Sequence, residues 1–167
     1  DIITDNFEEV IKFAVENNKL NSLKYLESIG GFLNNFEFLL IICEKGYLEM
    51  LKYFIDTNIF IHLGDHAKNE ALELASKNGH YKIVKFLLKN GVGVTAKNNA
   101  LEFASKNGHY EIVEWILKNG VDARSKNKSL ELASETGHYE IVELLLKNGV
   151  DGRSKDDALE RASMCGY

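Results

Sequence analysis

The chain has 167 residues, 45% hydrophobic and 27% charged, with a net charge of -5, values ordinary for one compact folded domain or one short repeat array. Acidic residues outnumber basic ones, which argues against nucleic acid as a partner. Cys43 and Cys165 lie too far apart for a metal or redox motif, and the longest apolar run, Phe38 to Cys43, is too short to span a bilayer. An intracellular, cytoplasmic setting with no membrane partner is therefore the default.

Two further features concern origin. Proline is absent, Arg occurs only at Arg124, Arg153 and Arg161, and Lys, Asn and Ile are frequent, a bias that fits an AT-rich coding sequence. The chain opens on Asp1 with no basic segment leading into an apolar one, so the expectation is a fragment or a processed form.

Taken in chain order, the elements are copies of one unit. "AVENNKLNSLKYLE" (Ala14 to Glu27) is the first, with Asn18 where later copies have Gly. "CEKGYLEMLKYFI" (Cys43 to Ile55) is the second, aligned on Gly46. "IFIHLGDHA" (Ile59 to Ala67) alternates as a hairpin would, with Gly64-Asp65 as the expected tip. From there the period is strict, for Gly79, Gly108, Gly137 and Gly166 recur every 29 residues.

Each copy reads as two helices. In the third, Leu72, Ala75 and Ser76 give a short helix with a small-residue face, ended by Gly79. Ile83, Val84, Leu87 and Leu88 then form the buried stripe of a second helix. Glu114 with Lys118 and Glu143 with Lys147 are i, i+4 pairs on later second helices. One such pair cannot cover its own apolar stripe, whereas stacked neighbours can. The organisation read here is a single array over residues 1–167, with units near 7–34, 35–67, 68–96, 97–125 and 126–154 and a partial unit at 155–167. "DALERASMCGY" (Asp157 to Tyr167) is a first helix without its second. The expectation is that the natural protein continues past it or that another chain covers this end.

"ASKNGHYEIVEWILKNGVD" (Ala104 to Asp122) and "ASETGHYEIVELLLKNGVD" (Ala133 to Asp151) resemble the ankyrin phrase A-A-x-x-G-H-x-x-I-V-x-L-L-L-x-x-G-A-D over its full length. The resemblance covers roughly residues 7 to 167. It implies an all-α solenoid of stacked helix-turn-helix repeats. The usual unit is about 33 residues, so the later copies are short. The loss falls in "VDARSKNKSLEL" (Val121 to Leu132), where the family has a hairpin and a Thr-Pro-Leu-His helix start, and implies shortened hairpin loops. Short, proline-free, Asn/Lys-rich units of this kind look like the ankyrin repeats of large DNA viruses that infect amoebae.

Three columns invite a chemical reading. His80, His109 and His138 could be a metal or proton relay, but ligands about 2 Å from one metal cannot be spread along a stack at about 8–10 Å per helix. A structural tie from each His to a neighbouring loop is favoured. Glu73, Glu102, Glu131 and Glu160 repeat in like environments with no cleft implied, so surface pairing with Lys77 or Lys106 is favoured over acid/base work. Lys97, Lys126 and Lys155, with Arg124 and Arg153 beside the last two, are read as loop residues. They are either solvent-facing or a basic edge for an acidic partner, diluted by Asp122, Asp151, Asp156 and Asp157. Trp115 is read as repeat packing, and "NKS" (Asn127 to Ser129) as a glycosylation sequon idle in an intracellular chain.

No phosphate loop, nucleophile elbow, CxxC or zinc-protease motif occurs. The reading is a non-enzyme without cofactor, metal or small-molecule substrate that binds an unknown protein partner. The resemblance places the interaction surface on the ends of the first helices and the loops: Lys77, Asn78, Lys97, Lys106, Asn107, Lys126, Lys128, Glu135, Thr136 and Lys155. The alternative is the substrate-recruiting arm of a larger protein, such as a ubiquitin-ligase adaptor.

Overall fold

A computed structural model describes residues 2–31, 35–56 and 64–164. Among them are eleven α-helices and no strand. They are α1 (Ile2–Glu16), α2 (Leu20–Ser28), α3 (Phe36–Lys45), α4 (Leu48–Asp56), α5 (Asp65–Lys77), α6 (Tyr81–Lys89), α7 (Val94–Lys106), α8 (Tyr110–Lys118), α9 (Ala123–Glu135), α10 (Tyr139–Lys147) and α11 (Gly152–Met164). From α5 onward a 13-residue helix alternates with a 9-residue one.

The stops are chemical. At the ends of the first helices α3, α5, α7 and α9 a glycine takes the left-handed conformation, as at Gly79 (φ 75°) and Gly108 (φ 77°), and turns the chain into the next helix. Just before it, Asn78 and Asn107 each donate a side-chain hydrogen bond of 2.8 Å to the carbonyl four residues back, and Thr136 does the same at 2.8 Å. The second helices end alike, on Asn90, Asn119 and Asn148. The starts differ. The Asp122 and Asp151 side chains accept from the Ser125 and Ser154 amides at 2.7 Å, the bond of an N-cap.

Packing sets the curvature. The first helices meet through Ala71, Ala75, Ala100, Ala104, Ser129 and Ala133, all wholly buried, so α3, α5, α7, α9 and α11 lie close along the stack. The second helices carry Ile83, Leu87, Ile112, Ile116, Ile141 and Leu145 inward and touch one another sparsely. A row held close on one side and apart on the other bends, with the first helices lining the concave side. Leu72, Leu101 and Leu130 fill the space within each pair, and Trp115 packs partly buried against this core as read from the sequence.

Two expectations are corrected. The stretch after Val121 is no plain loop: α9 starts at Ala123, so "ARSKNKS" is helical and the lost residues leave only a short connector, because Asp122 caps the helix at once. Gly64-Asp65 is no hairpin tip. Gly64 is the extended residue before α5, and Asp65 is its first helical residue; Ile59 to Leu63 lie outside the described residues, as do Cys165, Gly166 and Tyr167.

Candidate functional site

The histidine column is structural, and its partner is a helix rather than a loop. His80 Nε2 lies 2.8 Å from the carbonyl of Glu44, His109 Nε2 2.8 Å from that of Lys77, and His138 Nε2 3.2 Å from that of Lys106. Each ring therefore donates Nε2–H to a last-turn carbonyl of the preceding first helix, a group the helix itself leaves without a partner. The ring also lies against the preceding glycine: a Cβ at Gly46, Gly79 or Gly108 would sit 2.6–2.7 Å from imidazole atoms. The second unit makes the same tie with Tyr47, whose hydroxyl donates to the Glu16 carbonyl at 3.1 Å. There the turn residue is Asn18 (φ 53°) rather than glycine.

The lysine column is structural in part. Lys97 and Lys126 belong to α7 and α9, not to loops. Their ammonium groups donate to the Asn119 and Asn148 carbonyls at 3.0 and 2.9 Å, where a cation suits the C-terminus of the second helix. Beside them, the Asn98 and Asn127 amides donate to the Asp122 and Asp151 carboxylates of the next unit, which holds each N-cap in place. The sequon residue Asn127 is thus a helical, half-buried link. These bonds and Arg124 keep Asp122 below the usual carboxylate range, the Ser125 amide contributing most.

Of the proposed surface residues, Asn78, Asn107 and Thr136 are turned back onto their own helices. Lys128 pairs with Glu131 at 2.9 Å, and Glu135 with Arg161. Lys77, Lys106 and Lys155 are exposed. The pairs Glu114–Lys118 and Glu143–Lys147 form as expected, each at 2.9 Å. Glu73–Lys77 and Glu102–Lys106 do not form among the described residues. Glu131 is met instead by Lys128 and, at 2.5 Å, by Arg161 from the next first helix. Among the described residues, no group of three His, Cys, Asp or Glu could hold a metal, and burial pushes the Cys43 thiol pKa up, away from the reactive thiolate.

What the structure brings together on the concave side is the carboxylate column and a row of apolar residues that sequence reading passed over. Leu74, Phe103 and Leu132 are half-exposed and lie outside the core cluster. They follow Glu73, Glu102 and Glu131 in sequence, and a helical projection places them at the border between the Ala/Ser face of each helix and its Glu/Lys side. A cleft of about 360 Å³ opens here, lined by Glu102, Arg124, Asn127, Lys128, Glu131 and Arg161 among others. Partial burial raises the Glu102 pKa, opposed by Lys128 and Arg124 and assisted by Asp122.

No helix among the described residues is long and apolar enough to cross a membrane. Comparison with curated proteins finds no match. The family model for ankyrin repeats in three copies matches residues 10–98 and 92–156, spanning the same helix pairs that the glycine–histidine ties hold together. Repeats of this kind generally serve as non-catalytic protein–protein interaction modules. The chain belongs to the ankyrin-repeat family.

Proposed function

We propose that the protein is a non-catalytic scaffold that binds a partner protein on the concave face of its first helices. The observation that carries this is the division between frame and face. From α5 to α10 the Gly, His, Ala and helix-ending Asn or Thr positions keep one role. The outward positions vary: Glu70, Asn99, Lys128 and Asp157 share one place in successive first helices, as do Lys77, Lys106 and Glu135. A rigid frame with a variable, half-desolvated face suits recognition with little ordering cost on binding.

The test is affinity capture with the array as bait, quantified by mass spectrometry. It is repeated with Lys77, Lys106, Glu135 and Lys155 substituted together, since these are proposed contacts. A specific prey should be lost on that change while the fold is kept. Capture of the same prey at undiminished yield would place binding elsewhere. The Lys-, Asn- and Ile-rich, proline-free composition supports a source with an AT-rich genome, such as a large DNA virus of amoebae; for such a source the place of action we propose is the host cytoplasm.

A further inference from the structure

One position of the first helices changes character along the stack. It is Leu74 in α5, Phe103 in α7, Leu132 in α9 and Arg161 in α11. Arg161 shows what a cation does there. Its guanidinium reaches back to α9, 2.5 Å from Glu131, and also engages Glu135. One unit back, Leu132 stands in its place and Glu102 receives no guanidinium. Two units back, Phe103 stands there, beside Glu73. Among the described residues neither Glu73 nor Glu102 makes an ion pair or a side-chain hydrogen bond.

Glu102 is therefore a half-buried carboxylate at the edge of a cleft, with its pKa raised rather than lowered. Lys128 and Arg124 act on it from a distance, while Lys128 is already engaged by Glu131. A carboxylate in this state gains more from a new counter-ion than an exposed one does, because the pair forms where water is partly excluded. Beside it, Phe103 and Leu132 offer apolar surface that the core does not use.

We propose that the groove accepts a segment of a partner protein bearing an Arg or Lys next to an aliphatic or aromatic residue. The cation docks on Glu102 in the place that Arg161 fills for Glu131, and its apolar neighbour packs on Phe103 and Leu132. The proposal rests on the protein-binding reading above and adds the chemistry of the bound segment. Arg suits the site better than Lys, since its planar fork can meet a carboxylate through two bonds. Lys77 and Lys106 lie one helical turn beyond the carboxylates and keep the far edge of the groove positive. A uniformly basic segment is thus disfavoured, and one with an acidic residue beyond the apolar one fits. The reverse choice, an acidic segment on Arg124 and the lysines, would use exposed cations whose pairs contribute little.

The experiment is selection from a displayed random-peptide library on the purified array, in parallel with Glu102→Gln, Phe103→Ala and Leu132→Arg. Leu132→Arg places a guanidinium beside Glu102 from within the chain and so mimics the occupant. Leu132 is outside the core, and circular dichroism with a melting curve checks that each variant is folded. Selected peptides should share a cation beside an apolar residue. They should bind Glu102→Gln and Leu132→Arg about tenfold or more weakly, with affinity falling as salt rises. Peptides without a cation, or with equal affinity for Glu102→Gln and Leu132→Arg, overturn the proposal and leave the protein-binding reading standing. No enriched peptide also counts against it. If the wild-type array in addition captures no partner from its source cell, the reading itself fails.

Discussion

The first two helix pairs and the later ones meet one requirement with different residues. The first helices α1, α3, α5 and α7 end on carbonyls that their own backbone leaves open, and the next unit reaches one of them. In α5 to α10 the reach is made by histidine over a bare glycine. At α1 the turn residue is Asn18, which carries a Cβ, and the reach is made by the longer Tyr47. The contacts around it are singular as well: Tyr53 donates to Glu27 and Asn35 to Glu8, pairs that no later unit repeats among the described residues. With Lys24 over its ring at 5.2 Å, Tyr53 is buried enough, and close enough to Glu27, that its pKa is pushed up to about 12. The array tolerates drift where turn residue and ring change together.

That coupling can be broken hardest at the glycine. In Gly108→Ala the new Cβ would sit 2.7 Å from the His138 ring, at a φ of 77°. The left-handed conformation costs a non-glycine residue about 1–2 kcal/mol, and overpacking adds about 1–3 kcal/mol. Asn18→Ala, at φ 53°, already carries its Cβ and should lose about 1 kcal/mol or less. Urea unfolding of both variants measures the difference. In Gly108→Ala/His138→Ala the overpacking part should be relieved, which a double-mutant cycle reads directly. Equal midpoints for Gly108→Ala and Asn18→Ala would show that the ring does not constrain the turn.

The tie itself is the next effect in size. His109→Ala removes a hydrogen bond to the Lys77 carbonyl together with ring packing, about 1–2 kcal/mol. Tyr47→Phe removes only the hydroxyl that meets Glu16, about 0.5–1 kcal/mol. Tyr47→His should not recover stability unless Asn18→Gly accompanies it, because the shorter ring then needs the space the Asn18 side chain occupies. Melting temperatures of the three variants decide this. Recovery by Tyr47→His alone would mean that turn and ring vary independently.

A smaller effect separates the lysines. Lys126 donates to the Asn148 carbonyl at 2.9 Å, whereas Lys155 makes no such bond among the described residues. Lys126→Met should lower stability by about 0.3–1 kcal/mol, and Lys155→Met should leave it unchanged. Chemical denaturation checks both. If neither variant shifts the midpoint, the ammonium cap contributes nothing.

The period, the paired helices and the structural use of histidine were legible because they rest on local spacing, and local spacing repeats. Even the Asp122 cap had a local sign, an Asp ahead of a helical run. What stayed hidden depends on residues about 22 to 36 apart in sequence: Lys97 on Asn119, His80 on Glu44, Arg161 on Glu131. Lys97 and Lys126 read as loop residues because the missing Thr-Pro removed the familiar helix start, and the chain simply began its helix earlier. Tyr47 was within reach, since it follows Gly46 as His80 follows Gly79. Leu74, Phe103 and Leu132 were passed over because a lone Leu or Phe at the border of the Ala/Ser face looks like core, and only its partial exposure outside the core cluster shows otherwise.

The smallest predicted effect lies within one column. Glu102 and Glu131 occupy the same position in adjacent units, but only Glu131 holds partners, Lys128 and Arg161. The folded array raises the Glu102 pKa, first through burial, so its ionisation works against folding. The favourable contribution of its protonated form is complete below the unfolded carboxyl pKa. It is lost as pH rises through the raised folded value. At Asp122 the sign is opposite: its pKa is lowered, so its contribution is present above the ordinary carboxylate range and is lost as pH falls through the folded value. At neutral pH, Glu102→Gln should therefore melt no lower than wild type, and a degree or so higher is the direction expected. Glu131→Gln should melt lower, because it loosens two cations at once. The gap between the two variants should close in strong acid, where the wild-type carboxyls are protonated as well. A Glu102→Gln array that melts well below wild type at neutral pH would mean that this carboxylate already has a partner, and that no place is kept for one from outside.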